Sequence, residues 1–304
     1  MFKICHSKSL SKSIDCREHT EFAADHANLG QVSRQRHCRK VLFILCASTS
    51  HSAQQWLAPP GGVALRKGVV HVWRGIVDIP SSRLQVYWGM LSGDEHERAY
   101  RLRFPPHRKR FVAARGMLRS ILGFYLNRSP HDIELGIGPQ GKPFVQNPVR
   151  RKLLFNLSHS QNIVLFAFSH DSEVGIDVEG PKPRLDYHAV AKRVLSPQEQ
   201  QWLHSLPLAK QKAAFLTCWT RKEAFSKAYG TGLGFPFRDI TVTFLPHHPP
   251  RVMTVNDPWI DSRAWTVRPV YPRARYAGAL VVAGEPHAIH YWDYHQWNPQ
   301  SNPK

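Results

Sequence analysis

The sequence predicts an α+β fold built from two similar halves, and three observations carry that reading. Short strand-like runs at residues 69–73 (VVHVW), 163–168 and Val174–Glu179 are interleaved with helical patterns. Two of those helical patterns are long, over Pro105–Leu126 and over residues 215–230. The third observation is an internal echo: Leu91, Ser92, Glu95 and Phe111 recur as Leu195, Ser196, Glu199 and Phe215, each 104 positions later. If the echo is structural, each half holds a strand, a Leu-Ser capped segment and a long helix. Arg119 then takes the place in the first half that Glu223 takes in the second, one half being cationic where the other is acidic.

Length and charge bound the function. A chain of 304 residues is long enough for two modest domains or one duplicated domain. Lysine and arginine total 41 against 22 acidic residues, a formal charge of +19, so the expected partners are anions: a phosphate-bearing ligand, an acidic protein or nucleic acid. No run approaches the ~18 apolar residues of a membrane span, and a soluble, cytoplasmic protein is expected. The five cysteines contain no C-x-x-C pair, which argues against a disulfide framework or structural zinc and suits a reducing compartment. The histidines form no H-E-x-x-H grouping, and His247-His248 lies among prolines.

Taken in order, residues 1–60 are rich in Ser, His and Cys with little periodicity and read as a disordered or poorly specified extension. The apolar stretch at 41–47 (VLFILCA) lies too far into the chain, and lacks the cleavage pattern, for a signal segment. Folding is expected from near Val69, with residues 84–88 (LQVYW) as a second strand-like run. The basic run 98–103 precedes Pro105-Pro106, which opens a helix to about Leu126. On it Arg108, Arg115 and Arg119 fall at i, i+7 and i+11, one narrow stripe that serves equally as a solvated basic flank or as a phosphate-binding face.

The Gly/Pro turn at residues 138–143 then presents Lys142, and residues 153–160 (LLFNLSHS) alternate apolar and hydrogen-bonding side chains up to His159. Residues 163–168 and Val174–Glu179 read as two strands of a hairpin, which would bring His159 and Asp177 together. Prolines at 181–183 make a linker before a helix to Val194. Ser196-Pro197-Gln198-Glu199 is a capping box with proline at N1. Gly230 ends the central helix, the Gly/Pro loop at 232–237 follows, and strands near 240–244, 264–267 and 278–283 complete the pattern, leaving a tail over 291–304.

The chemistry-bearing residues sit on two of these elements. On the strand, Asp177 and Glu179 project to one side roughly 7 Å apart while Ile176 and Val178 point inward, so the like charges repel unless a cation lies between them. Magnesium, which takes a few carboxylates with water and phosphate oxygens, is the natural candidate, with manganese an alternative. On the helix Trp219, Glu223 and Lys227 fall at i, i+4 and i+8, and Glu223 completes an acidic trio. Alone, the Glu223 and Lys227 pair reads as a helix salt bridge worth a few tenths of a kcal/mol.

Residues 175–179 (GIDVE) with residues 219–230 (WTRKEAFSKAYG) resemble the paired signature of the 4′-phosphopantetheinyl transferases, and residues 141–143 (GKP) with 155–160 (FNLSHS) resemble the upstream motifs of the larger, Sfp-type branch. The likeness covers residues 69–244. It implies a monomeric, pseudo-duplicated 4′-phosphopantetheinyl transferase fold with halves at about 69–165 and 166–290 and coenzyme A in the cleft at their interface. It implies transfer of the 4′-phosphopantetheine arm of coenzyme A to a serine of an apo acyl, peptidyl or polyketide carrier protein, releasing adenosine 3′,5′-bisphosphate. Carried over by position, Asp177, Glu179 and Glu223 would bind magnesium, and Glu223 would help deprotonate the serine. Lys227 would contact the pyrophosphate, Lys142, Pro143, Ser158 and His159 would hold the nucleotide end, and the cleft side of Asp177 would face coenzyme A. Arg98 and Arg101 from the basic run, and Arg115 from the stripe, are further phosphate candidates.

Carrier proteins are acidic around the modified serine, which suits a basic enzyme and salt-sensitive association. The Gly230–Phe237 loop and the adjoining surface are the expected docking site. Two other classes fit parts of the sequence. A nucleic-acid-binding module would explain the charge, yet it leaves Asp177 and Glu179 unexplained and lacks an aromatic single-strand platform. A degenerate scaffold that only binds carriers is opposed by the intact acidic trio.

Overall fold

The computed structural model describes residues 54–146, 152–231 and 236–297. The first half begins with β1 (Val69–Ile76), α1 (Ser81–Gly89), α2 (Gly93–Arg101) and the long α3 (Pro105–Leu126), followed by the ribbon β2 (Leu135–Ile137) and β3 (Pro143–Val145), then β4 (Leu154–Ser160) and β5 (Ile163–Ser169). The second half contains β6 (Val174–Glu179), α4 (Tyr187–Val194), α5 (Pro197–His204), α6 (Leu208–Tyr229), the ribbon β7 (Ile240–Val242) and β8 (Val252–Val255), then β9 (Trp265–Val270) and β10 (Ala277–Ala283). The strand β11 (Ala288–Asp293) closes the chain's described part. The fold is α+β, as expected.

Two sheets face each other between two helices. The first has strand order β11-β1-β5-β4 and the second β6-β10-β9. Every residue of β5 is buried, because both of its faces are covered. Val164, Phe166 and Phe168 join Met117, Leu118, Ile121 and Leu122 of α3 in one core. Ile163, Leu165 and Ala167 meet Val174, Ile176, Val178, Leu280 and Val282 between the sheets. On the far side Cys218, Ala224, Phe225 and Ala228 of α6 pack with Ala279 and Val281 of β10. Each such side chain contributes roughly 1.5–3 kcal/mol by leaving water. The layered arrangement follows from the period-2 alternation of apolar residues in β5, β6 and β10.

The halves repeat one device. Ser92 with Glu95 opens α2 and Ser196 with Glu199 opens α5, each as a reciprocal capping box. Each capping glutamate is buried and grips a cation from the long helix of its own half: Glu95 holds Arg119 at 2.6 Å and Arg115 at 3.2 Å, and Glu199 holds Lys222 at 2.5 Å. Arg119 therefore corresponds to Lys222, and the expected match with Glu223 fails. The segment between capping box and long helix is one residue shorter in the second half (Ser92 to Pro105 against Ser196 to Leu208). One residue on a helix is a rotation of about 100°. Arg119 accordingly points into the core, 1% exposed, with Nη1 on the carbonyls of Pro130 and Ile133.

Other expectations change for nonlocal reasons. Residues 84–88 lie in α1, where Leu84, Tyr87, Trp88 and Leu91 reach the first core at helical spacing; a run of five residues does not by itself distinguish the two periods. The expected hairpin of residues 163–168 with β6 is absent: β5 pairs with β1 and β4, and β6 pairs with β10. β5 also runs continuously across residues 165 and 166. The tail does not stand apart, since β11 pairs in parallel with β1 and places Trp292 and Tyr294 in the first core. Trp56, ahead of the expected start, is buried between the sheets and donates to the Tyr271 carbonyl at 3.0 Å. Residues 1–53, with the stretch at 41–47, lie outside the described residues.

Candidate active site

The two halves meet where the edge strands β4 and β6 lie side by side. Alternate residues of β4 reach across to the unpaired edge of β6. Asn156 Oδ1 accepts the Ile176 N–H at 2.9 Å, Ser158 Oγ donates to Asp177 Oδ1 at 2.7 Å, and Ser160 Oγ donates to Glu179 Oε2 at 2.9 Å. Ser160 also accepts the Gly180 N–H at 3.0 Å. One half thus orients the acidic pair that the other supplies. Ser158 and Asp177, both expected against coenzyme A, do not themselves line the cleft: Ser158 stands behind Asp177, and Asp177 stands behind Lys227. Asn156 and Ser160 are positioning residues that sequence reasoning did not single out, although N-x-S-x-S opposite D-x-E carries the matching period of two.

From the other side α6 lies directly on β6. A Cβ on Gly175 would fall 2.0 Å from the Ala224 carbonyl oxygen and 2.4 Å from the Ala228 nitrogen, so only glycine allows this approach. The approach sets Lys227 Nζ 2.6 Å from Asp177 Oδ1 and 3.4 Å from the Ile176 carbonyl. Glu223, one turn earlier, is buried, and its pKa is pushed up to about 7. Burial is the main cause and the negative charge of Asp177 the next; Lys227 pulls the other way, and Glu179 adds a smaller push.

Asp177 Oδ2 and Glu223 Oε1 are both buried and accept no hydrogen bond from any described residue. Two orphaned carboxylate oxygens, in an acidic group that raises its own pKa, suit a hard divalent cation that takes its remaining ligands from water and phosphate. Glu179 is coupled to the same site but is held by Ser160 and by Lys182 at 2.6 Å. Among the described residues no three His, Cys, Asp or Glu side chains form a ready-made cage. The residues fit a cation shared with a bound phosphate better than one enclosed by protein.

In front of these groups is a cleft of about 270 Å3, walled by α3 and β4 of one half, α6 of the other and the turn carrying Lys142 and Pro143. Arg98, Arg115, Lys142, His159, Glu223 and Lys227 line it. The guanidinium carbons of Arg98 and Arg115 lie 5.5 and 5.6 Å from the centroid of Phe111. Lys142 Nζ rests on Glu173 Oε2 at 3.1 Å and on the Val174 carbonyl at 3.3 Å. His159 opens to solvent at the cleft, but its enclosing walls, then the charges of Lys227 and Arg110, lower its pKa and keep the ring neutral at pH 7. Arg110 does not line the cleft.

Arg101 is not brought in. It pairs with Glu97 at 3.0 Å on the exposed side of α2, the two side chains 76% and 69% exposed. Of the arginine stripe, only Arg115 faces the cleft, while Arg108 binds the Ala99 and Leu102 carbonyls at the end of α2. Gly230 reaches the cleft wall, and residues 232–235 of the expected docking loop lie outside the described residues. Cys218 is buried with its thiol pushed well up by desolvation, which removes it as a nucleophile. The arrangement can bind a polyphosphate by its cations, place a divalent ion on Asp177 and Glu223, and accept a proton at Glu223.

Two family models match consecutive parts of the chain. One, described as 4′-phosphopantetheinyl transferase, N-terminal, covers residues 80–171, and one described as the 4′-phosphopantetheinyl transferase superfamily covers residues 173–281. They meet in the turn between β5 and β6. The 4′-phosphopantetheinyl transferase HetI of Nostoc sp. is 38% identical over 240 residues, which is 79% of this chain and 98% of that relative. The putative 4′-phosphopantetheinyl transferase slr0495 of Synechocystis sp. is 39% identical over 147 residues, 48% of this chain and 60% of that one. The 4′-phosphopantetheinyl transferase psf-1 of Bacillus pumilus is 34% identical over 151 residues, 50% and 63% of the two chains.

Proposed function

The chain belongs to the 4′-phosphopantetheinyl transferase superfamily, and from that premise we propose a magnesium-dependent enzyme of the two-half, Sfp-type branch. It moves the 4′-phosphopantetheine arm of coenzyme A to a carrier-protein serine and releases adenosine 3′,5′-bisphosphate. The observation that carries the reading is a cleft lined by Glu223 and the cations Lys227, Lys142, Arg98 and Arg115, with Asp177 held against Lys227 behind it and an orphaned carboxylate oxygen on each of Asp177 and Glu223.

In this reading the cations of the cleft neutralise the phosphates, with Arg98, Arg115 and Lys142 around the nucleotide end. Neutral His159 donates one ring N–H to a phosphate oxygen. Lys227, fixed by Asp177, faces the diphosphate and stabilises the charge that grows on its non-bridging and leaving oxygens. The serine oxygen forms a bond to the phosphorus bearing the pantetheine arm, and the bond from that phosphorus to the bridging oxygen breaks. The serine proton passes to Glu223, directly or through a water, the buried carboxylate acting as general base. A divalent ion on Asp177, Glu179 and Glu223, manganese serving in place of magnesium, would supply Lewis-acid neutralisation of the diphosphate.

The test is incubation with coenzyme A, magnesium and a panel of apo carrier proteins, followed by intact-mass measurement. A phosphopantetheine increment that disappears with EDTA is expected. Unmodified carriers throughout, together with salt-steep nucleic-acid binding, would replace this reading with the nucleic-acid module. A finer expectation concerns Ser160. Ser160→Ala leaves Glu179 without its serine donor, so the magnesium concentration for half-maximal rate should rise roughly tenfold, the equivalent of ~1.4 kcal/mol. The KM for coenzyme A should stay near its parent value, and an unaltered magnesium dependence would show that Ser160 does not position the acidic pair.

A further inference from the structure

The face of α6 turned away from Glu223 borders a second charged cavity that the transferase reading leaves unused. It encloses about 190 Å3 between Thr217 and Arg221 of α6 and Pro269, Tyr271, Arg275 and Tyr276 around the β9–β10 connection. No acidic side chain lines it. Arg221 is 7% exposed. Its Nη1 donates to the Thr243 carbonyl, and among the described residues its Nε and Nη2 groups have no acceptor and no carboxylate pairs with it. Burial lowers its pKa, and the smaller opposing effects come from Cys218 and Tyr271, neither of them a carboxylate.

The contrast with the other buried cations is direct. Arg115 and Arg119 share Glu95, and Lys222 has Glu199. Charges removed from water are retained where a counter-charge compensates them, and Arg221 alone among these four has a cavity in place of a carboxylate. A second guanidinium is delivered to the same cavity at a backbone cost. Arg275 has φ 68°, a left-handed conformation unfavourable for a residue with a Cβ. The wall is also fixed, since the Tyr276 hydroxyl donates to Asn162 Oδ1 at 2.8 Å.

We propose that this cavity binds a small phosphate dianion, with the fork of Arg221 at its base and Arg275 at its mouth. Planar guanidinium groups present paired N–H donors that match tetrahedral oxyanions. The bound anion would replace the missing carboxylate and tie α6 to the β9–β10 connection, so occupancy should raise stability by mass action.

The experiment is thermal unfolding of the full chain against inorganic phosphate, without magnesium or coenzyme A and with chloride holding ionic strength constant. Arg275→Ala, Arg221→Gln and Lys142→Ala are compared with the parent. The expected result is a phosphate-dependent rise in Tm that survives Lys142→Ala, which weakens the other cleft, and is lost in Arg275→Ala. Arg275 is exposed, so its variant reports on binding even if Arg221→Gln fails to fold. The proposal is overturned if phosphate gives the parent no shift, or if Lys142→Ala removes the shift while Arg275→Ala retains it. Failure here leaves the carrier-modification assay untouched, and failure of that assay leaves this one untouched.

Discussion

Glu223→Gln is expected to lose turnover by about a thousandfold or more and yet, at pH 8 in EDTA, to resist unfolding better than the parent. Under the proposed mechanism, the loss follows from removing both the proton acceptor and one of the two buried, unpaired carboxylate oxygens. The gain follows from linkage. The Glu223 pKa rises from 4.5 to about 7 on folding, so the folded state holds a proton that the unfolded state has released. Stability then falls as pH climbs from about 4.5 to 7, and above that window the buried carboxylate costs about 3 kcal/mol. Glutamine carries no charge at any pH. The variant should therefore match the parent near pH 4 and exceed it at pH 8 by roughly 1–3 kcal/mol, read as a Tm several degrees higher. Saturating magnesium should reverse that order, because the cation stabilises only the parent. Retained turnover would remove Glu223 from the chemistry, and equal stability at pH 8 would mean that its charge is already compensated in the metal-free protein.

Gly175→Ala should be the most damaging substitution of a single methyl group. The new Cβ would meet two backbone atoms of α6, at 2.0 and 2.4 Å, and backbone cannot step aside as a side-chain tip can. The strand and helix must separate, which carries an overpacking cost of about 3 kcal/mol, the upper end of the usual range. Because Asp177 lies on the same face of β6 as Gly175, the separation also opens its 2.6 Å contact with Lys227. Urea unfolding and the carrier assay should fall together. Gly93→Ala, with nothing within 4 Å of its Cβ at the start of α2, is the matched control and should be neutral or slightly stabilising. If Gly175→Ala behaves like that control, close helix–strand approach does not set the site.

Much of this protein was legible because its signals are local. Pro105 at the start of α3, the reciprocal boxes at Ser92 and Ser196, and Gly230 with φ 92° at the end of α6 each act within one turn of chain. Glu223 and Lys227 were readable as a pair for the same reason, and Asp177 with Glu179 from the alternation of a strand. What local pattern could not distinguish were choices between equal periods or equal partners. Residues 84–88 became a helix because Leu84 and Tyr87 found a core on one side. Arg108, Arg115 and Arg119 share one stripe, but the first caps α2, the second enters the cleft and the third is taken by Glu95.

The residues themselves determined where helices begin and end, which strand carries two carboxylates and which helix carries a glutamate and a lysine one turn apart. Tertiary structure decided that β6 leaves its sequence neighbour β5 for β10, that β4 reaches over to orient the acidic pair, and that Gly175 lets α6 settle onto β6. The division has a physical cause. Caps and periodicity depend on atoms a few residues apart, whereas strand partners and close approaches are won by contacts between residues as far as 219 positions apart, as in β1 with β11, whose free energies no short window of sequence contains.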